Sequence, residues 1–97
     1  MFTGTLSLDL LLGDVRSLKQ KRSVVRPIVA ELRKLDLSVA EVGHLGLHRR
    51  ALIGVAVVAA DAKHCRDVLD TAERQVAARP EIELLSAHHM LYNDNDD

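Results

Sequence analysis

Aromatic side chains are nearly missing from this sequence: Phe2 and Tyr92 are the only two, and there is no tryptophan. A core must therefore be built from Leu, Val, Ile and Ala. Cysteine is as scarce, with Cys65 alone, which excludes an intrachain disulfide and fits a reducing, cytoplasmic compartment. No run approaches the roughly 18 apolar residues of a membrane span. Thr3, Thr5, Ser7 and Asp9 interrupt the first stretch before it can read as a signal peptide. A surplus of charge is lacking too. The formal net charge is −1, so nothing global draws the chain to nucleic acid. What is present is 97 residues, 47% of them hydrophobic, enough for one domain with one core.

Charge is segregated rather than scarce. Residues 16–34 hold Arg16, Lys19, Lys21, Arg22, Arg26, Arg33 and Lys34 against the single acid Glu31. Ser17 and Gln20 have the spacing of a capping box, in which each side chain serves the other residue's free backbone N–H. A helix starting there places its first cations where its own dipole is already positive, at a cost of about 0.3–1 kcal/mol for each exposed charge in the first turn. An anionic partner is the simplest reason for such a placement.

The hydrophobic pattern supplies the surroundings. Phe2, Gly4, Leu6, Leu8, Leu10 and Leu12 alternate with Thr3, Thr5, Ser7 and Asp9, a half-buried strand over residues 2–12. From Ser17 to about Leu35, the residues Leu18, Val25, Ile28, Val29, Leu32 and Leu35 recur at helical spacing. Pro27 falls inside that span and predicts a kink. The alternative is a helix starting near Arg26 with Pro27 at its first position. Leu37 to Val42 reads as a short strand, Gly43 to Arg50 as a connector, and Ala51 to Ala60 as a central strand apolar on both faces. Asp61 caps a second helix whose inner stripe is Ala62, Cys65, Val68, Leu69, Ala72 and Val76, with Pro80 beyond its end. Lys63–Asp67, Arg66–Asp70 and Asp70–Arg74 are spaced for ion pairs on its wet side. Glu81 to about Tyr92 is the last strand, and residues 93–97 are an acidic tail expected to be disordered and free to compete for the basic surface.

Strand, helix, strand, strand, helix, strand with right-handed crossovers brings the first and third strands to the centre. The expected fold is a single α+β domain over residues 1–92, a ferredoxin-like βαββαβ sandwich. Its four-stranded antiparallel sheet carries two helices on one face and leaves the other open.

The run from Ser17 to Arg26, together with Leu37–Val42 and Ala51–Ala60, resembles the YlxP-like bacterial family of unknown function. The resemblance covers nearly the whole chain up to the acidic tail. It implies the same fold and, because the family's genes lie among those for translation initiation and ribosome maturation factors, a ribosome- or RNA-associated role. The connector departs from the family pattern: Gly43, Gly46, His48 and Arg49 stand where relatives tend to have acidic residues and a Trp-Gln pair.

The candidate anion- or RNA-binding residues are Lys19, Lys21, Arg22 and Arg26, with Arg49 and Arg50 as outliers. Lys21 points toward the apolar arc, and an ion pair between Glu41 and Lys21 or Arg22 is expected. His44 and His48 lie in a connector without a third ligand, so no metal site is expected. Cys65 faces the core and reads as inert. His88 and His89 alternate faces of a strand. No catalytic constellation and no cofactor motif is recognisable. The chain thus reads as a non-enzymatic module meeting RNA or a ribosomal particle through phosphates. The alternative is a homo-oligomeric protein- or ligand-interaction domain, such as a homodimer, that uses the open sheet face and has no nucleic-acid role, so that the basic helix is dispensable. Alanine at Lys19, Lys21 and Arg22 together is expected to abolish RNA binding and leave the thermal midpoint unchanged or higher.

Overall fold

In a computed structural model, residues 1–94 are described, and the elements follow the expected order. Strand β1 (Phe2–Leu12) is followed by helix α1 (Leu18–Arg33), strands β2 (Ser38–Gly43) and β3 (Arg50–Ala59), helix α2 (Ala62–Ala77) and strand β4 (Ile82–Asn93). The strands form one sheet in the order β2-β3-β1-β4, antiparallel throughout. This is the ferredoxin-like α+β arrangement. Among the described residues, no helix is long and apolar enough to cross a membrane.

The alternation in β1 builds the core. Leu6, Leu8, Leu10 and Leu12 are essentially without solvent contact, and β3 adds Ala51, Ile53 and Val55 on the same face. Val25, Ile28 and Leu32 of α1 and Cys65, Leu69, Ala72 and Val76 of α2 close over them. Cys65 is a buried free thiol. Gly4 of β1 lies directly under α2. A Cβ there would lie 2.8 Å from Leu69 Cδ1 and 3.3 Å from Cys65 Cβ, both on buried residues. Gly4→Ala is therefore expected to cost about 1–3 kcal/mol through overpacking, read as a lower urea midpoint with an unchanged slope.

Helix α1 runs through Pro27 from a start capped by Ser17, so the boundary near Arg26 is not the one adopted. Pro27 and Ser23 both face solvent, where water can satisfy the carbonyl that the proline leaves without its donor. Burial of Val25, Ile28 and Leu32 around this point offsets what remains. The capping is also shifted. Ser17 Oγ accepts from the Gln20 N–H at 3.1 Å, but Gln20 Oε1 accepts from the Arg16 N–H at 2.7 Å, one residue before the position a reciprocal box uses.

On α2 the Lys63–Asp67 pair forms. Arg66–Asp70 and Asp70–Arg74 do not, and Arg74 instead donates to Thr71 Oγ1 at 3.3 Å. Strand β4 takes in Asn93, opposite Phe2, and the Asp94 N–H donates to the Met1 carbonyl at 2.9 Å. The rest of the expected acidic tail, residues 95–97, lies outside the described residues.

Candidate anion-binding face and the buried lysine

The six candidate cations divide into two groups. Lys21 is buried, with 3% of its surface exposed. Its Nζ donates to the His44 carbonyl at 2.7 Å and lies 2.7 Å from Glu41 Oε2. The approach to Glu41 is off the hydrogen-bond direction, so that contact is an ion pair, whereas the bond to His44 is well formed. Lys21 thus joins the start of α1 to β2 and to the first connector residue. His44 sits there at φ 57°, a left-handed conformation that among the described residues only Asp36 shares. The ammonium secures a strained turn and is not on offer to an outside ligand.

Arg50 is also engaged. Its Nη2 donates to both oxygens of Asp9, at 2.7 and 2.6 Å, and Nε adds a 3.3 Å contact. His44 Nε2 lies 3.5 Å from Asp9 Oδ1 and 3.5 Å from Arg50 Nη2, beside the same pair. The Arg50 hydrogen bonds are the largest influence on the Asp9 carboxyl, and they hold it below its ordinary value of 3.8 against the opposing effect of burial. With the folded value depressed, this contribution to stability is present above pH 3.8 and lost as pH falls through the folded value. Asp9→Asn is expected to flatten the acid limb of the unfolding midpoint below about pH 4, measured by urea titration at stepped pH. Periodicity places Asp9 outward but cannot show that Arg50, at the head of another strand, reaches it. This cluster escaped the sequence reading, and the signal that could have found it was the antiparallel register that sets Asp9 close to the Leu11–Arg50 pair.

Arg49 is exposed, and its Nε donates to the Gly13 carbonyl at 3.0 Å, which pins the connector beside the turn that precedes α1. Lys19, Arg22 and Arg26 remain. All three are exposed, and none has an ion pair or side-chain hydrogen bond among the described residues. At 100° per residue they share one arc of the helix with Arg33, whose Nη2 donates to the Val39 carbonyl on β2 at 2.9 Å. The stripe therefore runs along the flank of α1 nearest β2, an edge strand. The first turn of α1 holds no acid. Asp14, the nearest carboxylate in sequence, is taken by Arg16.

His88 and His89 face opposite ways as expected, and His89 pairs with Glu73 of α2, a contact that crosses elements and has no local sequence signal. Among the described residues, no group of three or more His, Cys, Asp or Glu side chains is placed to hold a metal ion.

The family model described as "Protein of unknown function (DUF503)" matches residues 3–89. The chain belongs to that family. The match runs from within β1 to within β4 and takes in all the elements between them, including the capped start of α1 and the buried Lys21. No curated protein matches this DUF503 chain with significance. Among solved structures it is similar to a mutant form of SnoaB, a cofactor-independent oxygenase from Streptomyces nogalater. The TM-score is 0.51 and the identity 11%, over 98% of this chain and 95% of that one. At that identity the likeness is one of fold alone.

Proposed function

We propose that this DUF503 protein is a binding module without chemistry of its own, which meets the phosphates of RNA through Lys19, Arg22 and Arg26. The observation that carries this reading is the unneutralised stripe: three exposed cations on one helical arc, with no carboxylate paired to any of them among the described residues. Their rises along the axis, about 4.5 and 6 Å at 1.5 Å per residue, suit a strand whose phosphates repeat every few ångströms. Arg49, and beyond it the free backbone donors at the Ser17 end, extend the positive surface toward the turn before α1.

Contacts of this type position a polyanion and do not read its sequence. The central strands support that restriction, since they present Thr3, Thr5, Ser7, Gly54, Ala56 and Val58 on the open face. The rings on that face, His88 and Tyr92 among the described residues, stand on the edge strand β4 beside Ser7 and Thr3. Partner shape, as in a folded ribosomal RNA, would supply selectivity.

The test is fluorescence anisotropy with a labelled single-stranded RNA at two salt concentrations. The parent is compared with the Lys19→Ala/Arg22→Ala/Arg26→Ala variant, in which Lys21 is kept. The parent is expected to bind more weakly as salt rises and the variant to lose most of the affinity. Equal binding by both proteins would overturn the reading.

A further inference from the structure

The face of the sheet away from the helices is uncovered, and its relief is uneven. Along β4 stand His88, Met90 and Tyr92, opposite Ser7, Thr5 and Thr3 of β1. Met90 and Tyr92 are 43% and 50% exposed, and the Tyr92 hydroxyl lies 3.2 Å from Met90 Sδ, so the two form one ridge. Beside the ridge the surface drops. Thr5, Ser7, Ala40, Gly54 and Ala56 line a trough of about 300 Å³, closed at one side by Val42, whose Cγ1 leans over Gly54 within 2.9 Å of where a Cβ would sit.

We infer that this face is the contact surface for a second copy of the same chain, with the ridge of each copy lying in the trough of the other. Three observations commit the site to that occupant. The first is self-complementarity. A twofold axis running along the strands carries β4 of one copy over β2 and β3 of its partner, which superimposes ridge on trough twice, as an isologous interface requires. The second is charge. The Asp9 carboxylate at one end of the face is already paired with Arg50, so closing the face buries no unanswered ion there. The third is area. Four strands about 4.8 Å apart and roughly 10 residues long cover on the order of 600 Å² in projection. That approaches the ~800 Å² per partner of a stable association, and sheets packed face to face are an ordinary two-layer solution.

The dimer would place the helices on its two outer layers, with one Lys19–Arg22–Arg26 stripe on each. The inference does not depend on the RNA reading, because the stripe and the open face belong to opposite layers of the fold.

Sedimentation equilibrium of the full chain from 1 to 100 µM, on the order of the range in which a modest interface shows, tests it together with Thr5→Arg and Met90→Arg. The expected result is a parent that shifts from monomer to dimer mass. Both variants should stay monomeric throughout, with an unchanged far-ultraviolet circular dichroism spectrum. A parent of monomer mass at every concentration overturns the proposal, and so does a dimer that survives both substitutions. Thr5 sits on a central strand, so if Thr5→Arg misfolds, Met90→Arg on the exposed edge decides the outcome alone. RNA anisotropy on Met90→Arg keeps the two readings apart, since loss of the dimer should leave binding by a single stripe in place.

Discussion

Lys21→Ala is expected to lower the stability of the fold by about 2–3 kcal/mol. Breaking a buried ion pair from one side commonly costs 3–5 kcal/mol, because the remaining charge is left without a partner. Glu41 keeps 24% of its side chain in solvent and can be partly rehydrated, which brings the expected cost to the bottom of that range or just below it. The His44 carbonyl also loses its donor while its residue stays at φ 57°, and the lysine stem leaves a gap against the helix. At about 4–8 °C per kcal/mol for a domain of this size, the thermal midpoint should drop by roughly 10–20 °C. Lys21→Met keeps the packing and isolates the charge, and Lys21→Met/Glu41→Gln removes the ion left behind. The double variant should recover much of the loss. A coupling of at least ~1 kcal/mol in that cycle is the signature of a direct pair. A Lys21→Ala midpoint within 0.5 kcal/mol of the parent in urea would show that the ammonium holds nothing together.

This expectation reverses part of what the linear run of cations implies. A triple alanine variant that includes Lys21 is not a clean test of anion binding, because it removes a structural tie along with two surface charges. The geometry of α1 explains why such a run misleads. Lys19, Lys21 and Arg22 are neighbours in sequence, yet 100° per residue sends Lys21 inward while Lys19 and Arg22 stay out. The direction of Lys21 and its pairing with Glu41 were both legible, since period and strand alternation determine them. The buried partner on the connector was not, because the His44 carbonyl is a backbone group with no sequence signature. Likewise the βαββαβ order and the leucine face of β1 follow from periodicity, whereas Arg50–Asp9 and His89–Glu73 join elements whose alignment only the folded sheet and helix layers create. Pro27 was the local ambiguity. Propensity alone could end the helix there, and burial of the residues on either side decided for continuity.

With Lys21 set aside, alanine at Lys19, Arg22 and Arg26 should separate binding from folding. Each phosphate contact to a single strand releases about 0.7 counterion, worth roughly 1.2 kcal/mol at 50 mM salt. Three contacts amount to about 3.5 kcal/mol, so the loss of affinity at low salt should be on the order of a hundredfold or more. The parent's affinity should fall by roughly twentyfold between 50 and 200 mM salt, with a log–log slope near −2, and the variant's slope should flatten toward zero. Stability should move the other way. Lys19 lies in the first turn, where its charge opposes the helix dipole, so its removal relieves about 0.3–1 kcal/mol. Arg22 and Arg26 lie farther along an exposed flank, where alanine is at least as good a helix former. A thermal midpoint equal to or above the parent's, with binding lost, marks the stripe as a surface kept for an external anion at some expense to the helix. A midpoint that falls together with binding would mean that these side chains support the α1 flank instead, and the slope of binding against salt is the measurement that tells the two apart.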